Sequence, residues 1–253
     1  MIDPFVSYPP ALLAVLAIVV FIAGCVRGFA GFGAGMIFMP VATSLIHPAV
    51  AAAGFLLFDW LVTLPLAVKA MRICDWRTVL PAVLGSVLFV HAGAWFLGNT
   101  DIVLLRWVIF AIVCSLLLLL VSGWRYDGKP RPAVSFGVGA TSGLLGGISQ
   151  VSAPPVAAFW LSSSSKPGVV RANLIIFFAL ASIGTCIAYF LHGFFTVKVL
   201  HLLIVCAPCY AIGVLLGSRF FGKADGKLYR WVAYALIGLA AISSMPLLDA
   251  YLR

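Results

Sequence analysis

Charge is what this chain of 253 residues has least of. Only 9% of it is charged, it contains no glutamate, and its seven acids face sixteen lysines and arginines. Against that scarcity stand 64% apolar residues and a mean hydropathy of +1.17. Such a balance excludes a soluble globular domain. Reactive side chains are just as thin. The four histidines and six cysteines form no metal-ligand cluster, and no phosphate loop, nucleotide fingerprint or nucleophile–base pair is present. No cofactor and no metal are expected, and enzyme chemistry is not the leading reading. The net charge of +9 belongs to lysines and arginines flanking membrane spans, not to a nucleic-acid surface. The opening MIDPFVSYPP has an acid and no cation before its apolar run, unlike a secretory signal.

What is present is a series of long apolar segments, at about 11–46, 49–67, 79–98, 102–121, 133–161, 172–191, 199–217 and 231–248. They predict an all-α polytopic membrane protein with lipid around it. The first segment is too long. As one straight helix it would reach about 54 Å, against a hydrocarbon core of about 30 Å. It must break, and the glycines at 24–35 are where a break costs least. The segment 133–161 is expected to break over Gly143–Gln150.

These two segments are copies of each other. At a shift of 115, Gly24, Gly28, Gly31, Pro40, Val41 and Ala42 fall on Gly139, Gly143, Gly146, Pro155, Val156 and Ala157. Further on the shift becomes 124, with Arg106-Trp107-Val108 over Arg230-Trp231-Val232 and Gly93 over Gly217. The chain therefore divides into two related halves, 1–125 and 126–253, of four elements each. Cationic residues predict how the halves face. If both long segments cross once, the two sides hold eight and seven cations, which is no bias. If both return to their starting side, twelve lie on one side and only Arg106, Lys198 and Arg253 on the other, with Arg27 left inside a turn. The second arrangement has the asymmetry expected of cytoplasmic loops. It makes the halves an inverted repeat with both termini outside and 162–171 inside. Half-depth re-entrant hairpins and two full crossings both satisfy it; the short legs 133–146 and 150–161 favour glycine-broken re-entrant elements.

Non-helical backbone at membrane depth survives where it lines a polar cavity. Two such turns would meet near the midplane. The second legs, starting near Gly35 and Val151, would point free N–H groups and positive dipole ends there, a setting that suits an anion. The expected binding residues are Arg27, Gly28, Gly31, Gly33 and Gly35 from the first turn. Ser142, Gly146, Gly147, Ser149, Gln150 and Ser152 come from the second. Arg27 supplies charge and the serines and Gln150 supply neutral donors; pairing of Arg27 with a helix-end carbonyl, or helix-to-helix bonding by the serines, is the plainer alternative. Asp59, in the middle of AGFLLFDWLVTLPL, is either a proton carrier or the static partner of Arg27. Its counterpart at a shift of 119 is Phe178, so this charge has no copy. His91 reads as packing. Cys206-Ala-Pro-Cys209 has the spacing of a redox pair, and a thiol–disulfide carrier is the competing function; an anion channel is the third.

Two turns of the form GxxxGxxGxG…P at the starts of two related halves resemble the TauE/SafE sulfite-exporter family over nearly the whole chain. Gly28-Phe-Ala-Gly31-Phe-Gly33-Ala-Gly35 to Pro40 follows that pattern, whereas Ile148-Ser149-Gln150 stands where glycines commonly continue. The resemblance implies small sulfur-containing anions as substrates, of sulfite, sulfonate or sulfoacetate type. The favoured reading is thus a secondary transporter of the bacterial inner membrane, working by alternating access around a midplane site, with Asp59 making protons a candidate coupling ion.

Overall fold

The computed structural model describes residues 8–30, 32–123, 131–161, 166–220, 226–243 and 245. Ten helices account for nearly all of them: α1 Pro10–Ala30, α2 Ala34–Leu45, α3 Pro48–Ala70, α4 Trp76–Asn99, α5 Ile102–Val121, α6 Pro132–Ser149, α7 Ala153–Leu161, α8 Pro167–Leu191, α9 Val197–Phe220 and α10 Gly226–Ser243. Six are long and apolar enough to span a bilayer, from α1, α3, α4, α5, α8 and α9. The protein is an all-helical polytopic membrane protein. Their outward faces carry residues such as Leu88, Leu118, Phe190 and Leu215, all well exposed. With no water in lipid to satisfy backbone groups, helices are the only open-chain solution there.

The helix ends follow local chemistry. Asp75 and Asp101 cap α4 and α5, accepting from Arg77 N and from Val103 and Leu104 N. Proline opens α3, α6 and α8, where its missing N–H is no loss. Both long segments break within the stretches expected, 24–35 and Gly143–Gln150, towards the later end of each. The first breaks after Ala30 and resumes at Ala34 through Gly33 at φ 96°; the second turns at Gln150, a non-glycine residue at φ 57°. Gly24, Gly28, Gly143, Gly146 and Gly147 are therefore helical, not turn residues. Gly31, the loop 162–165 and both termini lie outside the described residues.

Those helical glycines serve close packing. In α6, Gly139, Gly143 and Gly147 lie against the backbone of Ala82, Ser86 and Val90 of α4, each pair 57 positions apart. A constant difference means the two helices run parallel. In the same way Gly24 and Gly28 of α1 lie against Tyr210 and Val214 of α9, each 186 apart. Any Cβ at these places would enter the neighbouring backbone, so only glycine lets the helices approach. The same contact recurs in both pairs: Gly85 meets Phe136 O and Ala140 N, and Gly213 meets Phe21 O and Cys25 N. Phe136 and Ala140 lie 115 beyond Phe21 and Cys25, but Gly213 lies 128 beyond Gly85. Gly93 and Gly217, paired in the sequence at a shift of 124, have different surroundings. Gly93 packs on Leu144 and Gly147, Gly217 on Cys25.

Each break turns the chain back. Ser142 Oγ donates to Ser152 O at 2.6 Å, so the chain beyond Gln150 lies alongside α6. Trp160 Nε1, near the end of α7, donates to Thr78 Oγ1 at the start of α4. Because α4 and α6 are parallel, α7 returns towards the end where α6 began. For the first segment, α1, α3 and α9 all run one way: Gly54 packs on Leu202, Tyr210 Oη reaches Asp59, and Lys198 Nζ sits 5.8 Å from the Tyr8 ring. The intervening α2 must then run back. At about 18 and 13 Å, α2 and α7 are too short to cross a core of about 30 Å.

A cavity where the two breaks meet

The two breaks touch at Gly35. A Cβ there would stand 2.6 Å from the carbonyl oxygen of Gln150, so a side chain would push the hairpins apart. Beside this contact lies a cavity of about 40 Å³ lined by Arg27, Gly33, Ala34, Gly35, Phe55, Asp59, Gln150, Ser152, Ala153, Phe178 and Ser182. That is room for about three waters, the scale of a small oxyanion and not of a nucleotide. α2 and α7 both begin at its wall, with their positive ends towards it. The two ends are not equal. Pro154 and Pro155 leave α7 with half the N–H groups a helix start normally offers, whereas α2 opens on Ala34-Gly35-Met36. Met36 N is bonded back to Gly33 O at 3.1 Å.

Arg27 lies in the last turn of α1, not in the turn that follows. Its Nε stands 3.2 Å from Asp59 Oδ1, and its Nη2 donates to Asp59 Oδ2 at 3.3 Å and to Thr63 Oγ1 at 3.2 Å. Tyr210, fully buried on α9, donates to Asp59 Oδ1 at 2.5 Å. Phe178 places its ring centroid 5.3 Å from the guanidinium carbon, within cation–π range. Side-chain exposures of 12% for Arg27 and 17% for Asp59 put the pair largely out of water yet still on the cavity wall. Each ion makes the other tolerable at that depth.

Of the residues expected to bind, Arg27, Gly33, Gly35, Gln150 and Ser152 line the cavity, and Asp59 joins them. The others have different places. Gly28 packs on α9. Ser142 is spent on Ser152 O, and Ser149 on Leu145 O and the N–H of Val151. The carbonyls of Gly146 and Gly147 accept from Tyr189 Oη at 3.3 and 2.9 Å. Gln150 is also engaged: its Nε2 donates to Gly146 O at 3.2 Å and Tyr189 Oη at 3.0 Å. Its amide is a brace for the left-handed turn, not a spare donor. Cys206 and Cys209 are free thiols, with Cys206 buried in the core of α9. Tyr210, Thr63 and Tyr189 escaped sequence reasoning. Their signal was a hydroxyl in an apolar run, which must find a partner when buried.

A family profile described as "Sulfite exporter TauE/SafE" matches residues 16–244. The chain is also 29% identical, over 234 residues, to the "Probable sulfite/organosulfonate exporter TauE" of Cupriavidus necator, covering 87% of this chain and 89% of that one. No solved structure matches. The extent of the profile match, nearly end to end over the same helices, places the chain in the TauE/SafE sulfite-exporter family, and it is a membrane transporter.

Proposed function

We propose that the protein moves a small sulfur-containing oxyanion, sulfite or a sulfonate, across a bacterial inner membrane by alternating access around the cavity at Gly35. The observation that carries this is the cavity itself, which places one arginine and two helix starts against a space of oxyanion size. The name of the relative in Cupriavidus necator points to the same substrates.

The halves 1–125 and 126–253 act as an inverted repeat about an axis through this cavity. In such a repeat, a residue meets its own copy only on the axis. Gly35 touches Gln150, its counterpart at 115, and Trp60 Nε1 donates to Ala179 O at 3.3 Å, 119 further on. The cavity is lined by the first of these meetings, and Asp59 and Phe178, 119 apart, both contact Arg27 on its wall. Parallel α1, α3 and α9 against oppositely directed α4, α6 and α8 fit termini outside and the cation-rich loops inside. Asp59, alone among the cavity residues in being a carboxyl, is the place for a coupling proton.

Uptake of labelled sulfite, methanesulfonate, thiosulfate and sulfate into liposomes, with and without a pH gradient, is the test. Saturable uptake with exchange of internal for external label is expected. Flux that neither saturates nor exchanges would make the protein a channel. Asp59→Asn should flatten the dependence of uptake on pH, and an unaltered profile in a well-assembled variant would remove the proton from Asp59.

A further inference from the structure

We propose that Asp59 is a built-in competitor of the substrate: it occupies the fork of Arg27 in the empty site, and the transported oxyanion takes its place. This rests on the anion-site reading above. An arginine recognises a carboxylate or oxyanion best through two parallel N–H groups. Here that edge, Nε and Nη2, is already turned to the two oxygens of Asp59 at 3.2 and 3.3 Å. Both separations exceed the 2.7–2.9 Å typical of such charged bonds. The carboxylate is drawn closer to Tyr210, at 2.5 Å, than to the arginine. Thr63 holds Nη2 from the side and Phe178 covers a face of the guanidinium.

An oxyanion in the cavity that uses the fork must dislodge Asp59. The displaced carboxylate does not go unpartnered, because Tyr210 Oη stays bonded to it. Tyr210 thus acts as a positioning residue: it receives the carboxylate that the substrate evicts. The arrangement favours ligands that present two oxygens at a spacing like that of a carboxylate, which sulfite and sulfonates do and halides do not. It also spares the empty site a bare buried cation.

Equilibrium binding of sulfite, with methanesulfonate as a second probe, to the purified protein in detergent tests this. Asp59→Asn should bind at least about tenfold tighter, the scale of one charged hydrogen bond. Tyr210→Phe keeps both charges and should bind severalfold weaker. In the Asp59→Asn background Tyr210→Phe should have no effect, since nothing is left to receive. Asp59→Asn binding equal to or weaker than wild type, with Arg27→Ala still losing affinity, would overturn the competitor and leave the anion site standing. Unchanged affinity in Arg27→Ala would remove the anion site itself. Should Asp59→Asn fail to fold, Tyr210→Phe decides alone: wild-type or tighter affinity overturns the proposal.

Discussion

The largely buried pair of Arg27 and Asp59 sits between structure and function, and single substitutions separate the two. Arg27→Ala removes the one cation on the cavity wall. It should weaken sulfite binding roughly ten- to a hundredfold, since a hydrogen bond to a charged group is worth about 1.5–3 kcal/mol. Arg27→Lys keeps charge without the fork and should recover part of the loss; titration on folded protein checks both. Gln150 behaves differently. Its left-handed backbone costs an ordinary side chain about 1–3 kcal/mol, offset here by the bonds of Nε2 to Gly146 O and Tyr189. Gln150→Ala keeps the strain and loses the brace, so it should lower the melting temperature more than Gln150→Gly does. Its sulfite affinity should change less than that of Arg27→Ala. The sequence marked Arg27 and Asp59 because charges are costly in lipid, and they are partners. It placed Gln150 at the cavity but did not show that its amide braces its own helix, because such local bonds leave no trace in spacing.

At the scale of the element, glycine had two meanings that a sequence shows as one. Gly33 and Gly35 allow a left-handed turn and a backbone contact with Gln150. Gly24, Gly28, Gly139, Gly143 and Gly147 sit inside unbroken helices and let α1 reach α9 and α4 reach α6. The breaks were legible from length, since 36 apolar residues cannot cross straight. The stretches that hold them were legible too, but not which glycines turn and which stay helical, because glycine permits a break without compelling one. The two classes should respond differently. Gly143→Val drives a branched side chain into the Ser86 backbone and should destabilise the protein by about 1–3 kcal/mol or prevent its assembly, read as loss of the monodisperse peak in detergent. Gly35→Ala, at the meeting of the hairpins, should leave a folded protein whose sulfite uptake falls at least tenfold.

For the whole molecule, the topology we propose, with the termini outside and 162–171 inside, is the one that the charge count and the helix directions both favour. Cysteine labelling on a cysteine-free background should find residue 2 outside and residue 165 inside. Both on one face would remove the inverted arrangement. The duplication in the sequence is the ground for proposing two halves, but it does not say how they are joined. Contacts between helices depend on small residues far apart in the chain, and spacing alone does not say which of them meet. The helices that pack most intimately belong to different halves: α1 of the first with α9 of the second, and α6 of the second with α4 of the first.

That exchange of partners sets a clock on biogenesis. Gly213 is made about 190 residues after Phe21, its neighbour in the finished protein. At about 5–20 residues per second, α1 waits on the order of 10–40 s in the bilayer before α9 exists. During that interval its glycine face has only lipid beside it, and Arg27 meets Asp59 early but Tyr210 late. A chain stopped at residue 125 would hold α1 and α4 with neither of their close partners, and should be cleared by membrane proteases. Supplying 126–253 as a second polypeptide in the same cell should rescue both pieces together, because each carries the surface that the other's first helix is waiting for.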